Sequence, residues 1–189
     1  RNIVRDAFEY AKTHGYPTVT VVEKPNVIRE TSGLMVREAR LIAKEYSGID
    51  LWEANIDAMC MWLVKNPEDY GVLVASNMFG DIITDLGAMI QGGMGIAAGG
   101  NINPEGLSMF EPIGGSAPKY TGQGIINPIA AISAAQLMLE TLGETDAAAR
   151  VEKAVVKVLR DDLEGIAAGK MGYSTSEVGD LVVGHLAAD

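Results

Sequence analysis

Three short β-rich runs, each separated from the next by a stretch long enough for a helix, constrain this chain more than any other feature. They are Pro17-Thr-Val-Thr-Val-Val22, Leu51-Trp-Glu-Ala-Asn-Ile56 and Gly71-Val-Leu-Val-Ala75. Short runs rich in Val, Ile and Thr read as strands, and an unbroken apolar run reads as a buried one. The intervening segments have helical periodicity. Residues 2–14 place Ile3, Val4, Ala7, Phe8 and Ala11 on one helical face, and Gly15 is the stop. Residues 32–46 predict a second helix, and residues 58–65 a compact third that Asn66-Pro67 breaks. Alternation of strand and helix argues for an α/β architecture.

In open α/β sheets ligands bind beyond the carboxyl ends of the strands. Each run here delivers a polar residue at or just past that end: Lys24, then Asp57, then Asn77 and Asp81. Asp81 and Asp85 lie in Asn77-Met-Phe-Gly-Asp-Ile-Ile-Thr-Asp85. A helix predicted over 81–91 stacks these two carboxylates on one face of its first turn. They repel unless a cation sits beside them, and hard divalent cations take carboxylate oxygen. Spacing alone equally allows Asp81 to be a helix cap and Asp85 a solvated charge. It also allows Asp57 to be an N-cap and Lys24 a surface lysine.

The composition changes at Gly92. Ten of the 22 glycines fall in residues 92–124, together with Pro104, Pro112 and Pro118. This reads as a long loop region, and long loops are usually functional. Gly93-Met-Gly-Ile-Ala-Ala98 matches the dinucleotide fingerprint only in letters, because it follows a helix and no acidic residue stands about 20 positions on. Phe110 reads as a strand end. Gly114-Gly115-Ser116 then offers bare backbone N–H groups and a hydroxyl, suited to close approach by phosphate. Asn127-Pro128 predicts a helix start, and residues 129–142 are apolar almost all round, which predicts a buried helix. Residues 146–160 are amphipathic, and Ser174-Thr-Ser-Glu177 is a capping box opening a last helix. His14 and His185 read as structural, since neither has a Cys, His or carboxylate neighbour at ligand spacing.

Composition excludes several classes. The chain has 189 residues, of which 48% are hydrophobic and 21% charged, with no low-complexity run, so it is not a disordered protein. A net charge of −10 without a basic stripe makes nucleic acid a poor partner. No apolar run approaches the ~20 residues of a membrane span, and no signal peptide is visible. Cys60 is the single cysteine, so no internal disulfide forms, which suits a cytoplasmic location.

Five motifs together resemble the β-decarboxylating dehydrogenases, the family of isopropylmalate, isocitrate, homoisocitrate and tartrate dehydrogenases. They are Glu-Lys-Pro-Asn-Val (23–27), Asp-Ala-Met (57–59), Ser-Asn-Met-Phe-Gly-Asp-Ile-Ile-Thr-Asp (76–85), Phe-Glu-Pro-Ile-Gly-Gly-Ser-Ala-Pro (110–118) and Gly-Ile-Ile-Asn-Pro (124–128). They occur in order and span essentially the whole chain. The bacterial isopropylmalate branch fits best through the Gly-Gly-Ser-Ala-Pro loop, Phe-Gly-Asp and the tail Ser-Thr-Ser-Glu-Val-Gly-Asp (174–180). Residues 92–103 are more similar to the isocitrate branch.

The resemblance implies an α/β two-domain fold with helices packed on a mixed sheet. Residues 1–91 would belong to the smaller dimerisation and catalytic domain, and residues 92–189 to the cofactor-binding domain. The implied partner is a small 2-hydroxy acid with a carboxylate on C3, oxidised by NAD with loss of CO₂ and the help of Mg²⁺ or Mn²⁺. Asp81 and Asp85 match the family's metal-binding aspartates. Asp57 matches a third that reaches the metal from the other subunit of a homodimer with a shared active site. Lys24 matches the lysine that works with that aspartate in deprotonating the substrate hydroxyl. Asn26 would face the nicotinamide, while Glu111, Gly114, Gly115, Ser116, Ala117, Pro118 and Asn127 would hold the rest of the cofactor.

Two departures stand out. Where NAD-using members have an aspartate after Ala-Pro, this chain has Lys119 followed by Tyr120, a pair similar to that of NADP-using isocitrate dehydrogenases. The family's substrate-binding arginines and catalytic tyrosine lie upstream of the region matching Arg1, so the N-terminal part of the fold is expected to be absent here and this chain inactive alone. A reading of another class, a non-catalytic partner subunit, sits poorly with the full set Lys24, Asp57, Asp81 and Asp85.

Overall fold

The computed structural model describes residues 1–188 of a chain that divides into two compact units, one over Arg1–Ile90 and the other beginning at Gln91. The first unit alternates strand and helix from the start. Helix α1 (Asn2–His14) ends at Gly15, whose φ of 73° lets the chain reverse in a left-handed turn that a side chain would strain. Strand β1 (Thr18–Glu23), helix α2 (Thr31–Ala43), strand β2 (Asp50–Asn55), helix α3 (Ile56–Lys65), strand β3 (Val72–Ala75) and helix α4 (Asn77–Gln91) follow. The strands form a parallel sheet in the order β2-β1-β3.

All six residues of β1 are buried, as expected of a central strand covered on both faces. Val19 and Val21 join Val4, Phe8 and Ala11 of α1 and Val36, Ala39 and Ile42 of α2 in one core. Val22 points the other way and packs with Met59 and Leu63 of α3 and Ile83 of α4. The alternation of side chains along one strand thus feeds two separate cores.

The second unit is built differently. Strands β4 (Ala98–Asn101) and β5 (Met109–Pro112) pair as an antiparallel ribbon, so the predicted long loop is partly ordered by its own ladder. Phe110 lies within β5, paired with Gly100, and is not the strand's last residue. Helices α5 (Ile129–Thr141), α6 (Thr145–Lys157) and α7 (Thr175–Ala188) complete the unit. The amphipathic stretch predicted to be one helix ends at Lys157 and passes into a π turn over Val158–Asp162. A core of Ile129, Ala154, Val155, Val158, Met171, Val178 and Val182 joins all three helices.

Helix α5 is not buried all round. Only Ile129, Ala130 and Ala134 are fully covered, while Met138 and Leu142 are exposed. The capping box at α7 forms as predicted: Ser174 N–H donates to Glu177 Oε2 at 2.8 Å, and Glu177 N–H donates to Ser174 Oγ at 3.4 Å. Among the described residues no helix is long and apolar enough to cross a membrane.

Candidate active site

Parallel strands end on the same edge, so the residues that follow β1, β2 and β3 collect there. Glu23 is in register with Asn55, and Val22 with Ala75. Neighbouring strands lie ~4.8 Å apart, which brings Lys24 close to the start of α3. Lys24 Nζ is ion-paired with Asp57 Oδ1 across 33 positions of sequence. The pair is lopsided: the Lys24 side chain is 19% exposed and that of Asp57 68%. Asp57 is not the cap of α3, since Asn55 holds that position and Asp57 falls in the first turn. The Lys24 hydrogen bond is the main reason its carboxyl is held below the usual aspartate range, and the free N–H groups of Asp57 and Ala58 add to this. Asn26 is exposed in the turn after β1, where the amides of Val27 and Ile28 both donate to Lys24 C=O.

Asp81 and Asp85 share one face of α4, as predicted, but not its first turn. The helix begins at Asn77, four residues earlier than the pattern suggests, because Gly80 N–H already donates to Ser76 C=O at 2.7 Å. Asp81 therefore caps nothing. Both aspartates are exposed, and among the described residues neither carboxylate has an ion pair or hydrogen bond. Their oxygens are accessible, uncommitted and of the type a hard cation selects, so they fit as part of a coordination shell. They do not complete one. Among the described residues no group of three or more His, Cys, Asp or Glu is arranged to hold a metal ion, and Asp57 is engaged with Lys24.

One residue of this edge escaped sequence reasoning. Glu23 is 1% exposed, and its carboxylate accepts Ser32 Oγ–H at 2.6 Å and Ser76 N–H at 3.0 Å. The available signal was an acid closing an otherwise apolar strand, which must find partners inside the protein.

In the second unit, Glu111 sits in β5 opposite Gly99. The chain then turns sharply. Gly115 N–H donates to Pro112 C=O, and Gly115 has a φ of 62°. Ala117, at φ 40° and ψ 59°, is the one non-glycine residue with positive φ among the described residues. Such strain costs of order 1–2 kcal/mol for an L-residue and tends to cluster at ligand sites. The turn keeps Gly114, Gly115 and Ser116 exposed, and with the Gly115 amide given to Pro112 it leaves those of Gly114 and Ser116 free to meet a phosphate. Pro118, Lys119 and Tyr120 form a 3₁₀ turn in which Lys119 Nζ lies 4.6 Å from the centre of the Tyr120 ring.

Asn127 is buried. Its Oδ1 accepts Ile129 N–H at 3.0 Å and its Nδ2 donates to Ile166 C=O at 3.1 Å, so its side chain pins the start of α5 to the loop before α7. His185 does have a carboxylate neighbour, contrary to expectation: its Nε2 lies 2.8 Å from Asp162 Oδ2, 23 positions away, where local spacing could not reveal it.

A parallel sheet with a buried central strand, a lysine–aspartate pair and an uncommitted aspartate pair at one edge, and a strained glycine-rich turn in a second unit, defines the class as an α/β protein. The chain belongs to the isocitrate/isopropylmalate dehydrogenase family, whose model matches residues 1–182. It is 43% identical over 187 residues to a 3-isopropylmalate dehydrogenase of Thermobifida fusca, covering 98% of this chain and 52% of that protein. It is 42% identical over 189 residues to that of Streptomyces coelicolor, with the same coverage. Among solved structures, isocitrate dehydrogenase from Methylococcus capsulatus superposes with a TM-score of 0.90 at 39% identity, over 98% of this chain and 55% of that one. A β-decarboxylating dehydrogenase from Thermococcus kodakarensis gives 0.87 at 34% identity, over 99% and 54%. The chain spans about half the length of the curated relatives it matches.

Proposed function

We propose that this chain supplies the catalytic pair, the metal-binding aspartates and part of the cofactor site of a dehydrogenase. Its reaction is the oxidative decarboxylation of (2R,3S)-3-isopropylmalate to 4-methyl-2-oxopentanoate, a step of leucine biosynthesis. The observation that carries the reading is the Lys24–Asp57 pair, set at the carboxyl edge of the same sheet whose α4 presents Asp81 and Asp85. In this reading residues 1–91 are part of the dimerisation and catalytic domain, and residues 92–189 part of the cofactor domain.

The chemistry follows from the residues. Lys24 and Asp57 handle the proton of the substrate hydroxyl, with the amine as the transferring group and the carboxylate holding it in place. Because they are paired within one chain, whichever subunit lends Asp57 to a shared site lends Lys24 with it. Asp81 and Asp85 would hold Mg²⁺ or Mn²⁺, which when bound supplies Lewis-acid polarisation of the hydroxyl and carboxylate. Asn26 stands beside Lys24, where it can orient the nicotinamide. The free amides of Gly114 and Ser116 would receive the cofactor phosphates, Gly115, Ala117 and Pro118 set the turn, and Glu111 of β5 and Asn127 at the start of α5 belong to the same cofactor site in this reading.

NAD is the cofactor proposed, from the similarity to the isopropylmalate branch. Lys119 favours a second reading, NADP with isocitrate or homoisocitrate as substrate, because a cation there meets a 2′-phosphate where an aspartate would meet a 2′-hydroxyl. Steady-state rates of the complete enzyme with each substrate, each dinucleotide and Mn²⁺ test both readings. Turnover of 3-isopropylmalate with NAD is expected. Absence of turnover with all substrates and both dinucleotides would overturn the proposal.

A further inference from the structure

We infer that Glu23 is a positioning residue that sets Lys24 and the aspartate helix in mutual register. The inference rests on the proposed function and extends it to a side chain that does not face substrate. Glu23 closes the central strand, and its two carboxylate oxygens serve two different elements. Oε2 accepts the hydroxyl of Ser32 in the first turn of α2, at a length usual for hydroxyl-to-carboxylate bonds. The same Ser32 oxygen accepts Lys24 N–H at 3.4 Å, so the backbone from which the lysine departs is tied to Glu23 through one intermediary. Oε1 accepts Ser76 N–H, and Ser76 C=O in turn receives Gly80 N–H, the first bond of α4. Asp81 is the next residue.

The start of α4 therefore hangs on Glu23 through a single amide, and a carboxylate at that end also complements the helix dipole. Glu23 and Ser32 are both at most 2% exposed, so the bond between them is shielded from water, while the bond to the amide of Ser76 lies nearer the surface. With no charged partner for Glu23 among the described residues, these neutral donors are what hold it. Such a buried group is costly to strand, which makes the connection rigid and directional.

The test uses the complete enzyme and two independent readouts: Mn²⁺ affinity by calorimetry in the absence of substrate, and kcat against KM. Glu23→Ala removes both anchors, and is expected to weaken Mn²⁺ binding and lower kcat, each by ~10-fold or more, as outer-shell losses typically do. Glu23→Gln still accepts from Ser76 and can donate to Ser32, so it recovers Mn²⁺ affinity to within ~3-fold of the parent. Ser32→Ala cuts only the link toward Lys24, and is expected to lower kcat while leaving Mn²⁺ affinity unchanged. A Glu23→Ala enzyme that loses thermal stability but keeps parental kcat and Mn²⁺ affinity would overturn the inference, as would a Ser32→Ala enzyme that loses Mn²⁺ affinity but not kcat. If Glu23→Ala does not fold, Glu23→Gln and Ser32→Ala decide. Failure of the proposed function looks different, since the parent itself would not turn over. Hydrogen exchange at the Ser76 and Gly80 amides then replaces kcat, and parental protection in Glu23→Ala counts against the anchor.

Discussion

Replacing Asp81 with Asn separates a metal-binding pair from a solvated face by the sign of one measurement. Asp81 and Asp85 are four apart on α4, both exposed, with no cation beside either among the described residues. Like charges at this spacing destabilise a helix by ~0.2–0.5 kcal/mol. Neither aspartate lies in the first turn, so the helix dipole does little to offset the repulsion. Asp81→Asn should therefore raise the thermal midpoint of the metal-free protein by about 0.5–2 °C, using the usual 2–4 °C per kcal/mol for a chain of this size. With Mn²⁺ present the sign reverses. A cation at about 100 times its dissociation constant stabilises the parent by ~2.7 kcal/mol, roughly 5–11 °C, and the variant loses most of that. Scanning calorimetry of parent and variant, each with EDTA and with Mn²⁺, reads all four states. An equal Mn²⁺ shift in both proteins would refute the metal assignment. A variant less stable than the parent in EDTA would refute the repulsion argument.

Three further outcomes can be checked. Lys119→Asp should raise the NAD-to-NADP ratio of kcat/KM by about 10- to 100-fold, the equivalent of one charged hydrogen bond of ~1.5–3 kcal/mol, and an unchanged ratio would mean that Lys119 does not meet the ribose. Ala117→Gly exchanges relief of left-handed strain for a looser unfolded chain, so stability should hold to within about 1 kcal/mol while KM for the dinucleotide rises and kcat stays. Asp57 has a carboxyl lowered below the ordinary 3.8, so its pairing contributes stability in full above that value and loses it as pH falls through the lowered one. Asp57→Asn should flatten the decline of urea-unfolding stability below pH 3.8, and an identical decline in both proteins would count against the Lys24 pairing in solution.

What the sequence alone made legible tracks how local each determinant is. The three parallel strands were found to within a residue or two because turn residues bound each apolar run, as Gly15 and Pro17 do before β1. The ribbon was missed because β4 reads Ala-Gly-Gly-Asn, with no strand propensity of its own, and is held by pairing with β5. The start of α4 was misplaced because Gly80 looks like a breaker, whereas the helix is fixed from outside, at Ser76, by Glu23. Apolar composition overstated the burial of α5 because composition says nothing of what lies against a helix. The site divides in the same way. Asp81 and Asp85 share a face by spacing alone, but Lys24–Asp57, Glu23–Ser76 and His185–Asp162 join positions 33, 53 and 23 apart. Those contacts are consequences of strand order and helix packing, which no local pattern encodes. Glu23 illustrates the point most sharply: by composition it is one acid among 25, and only register on a central strand sets its carboxylate between Ser32 of α2 and the Ser76 amide ahead of α4.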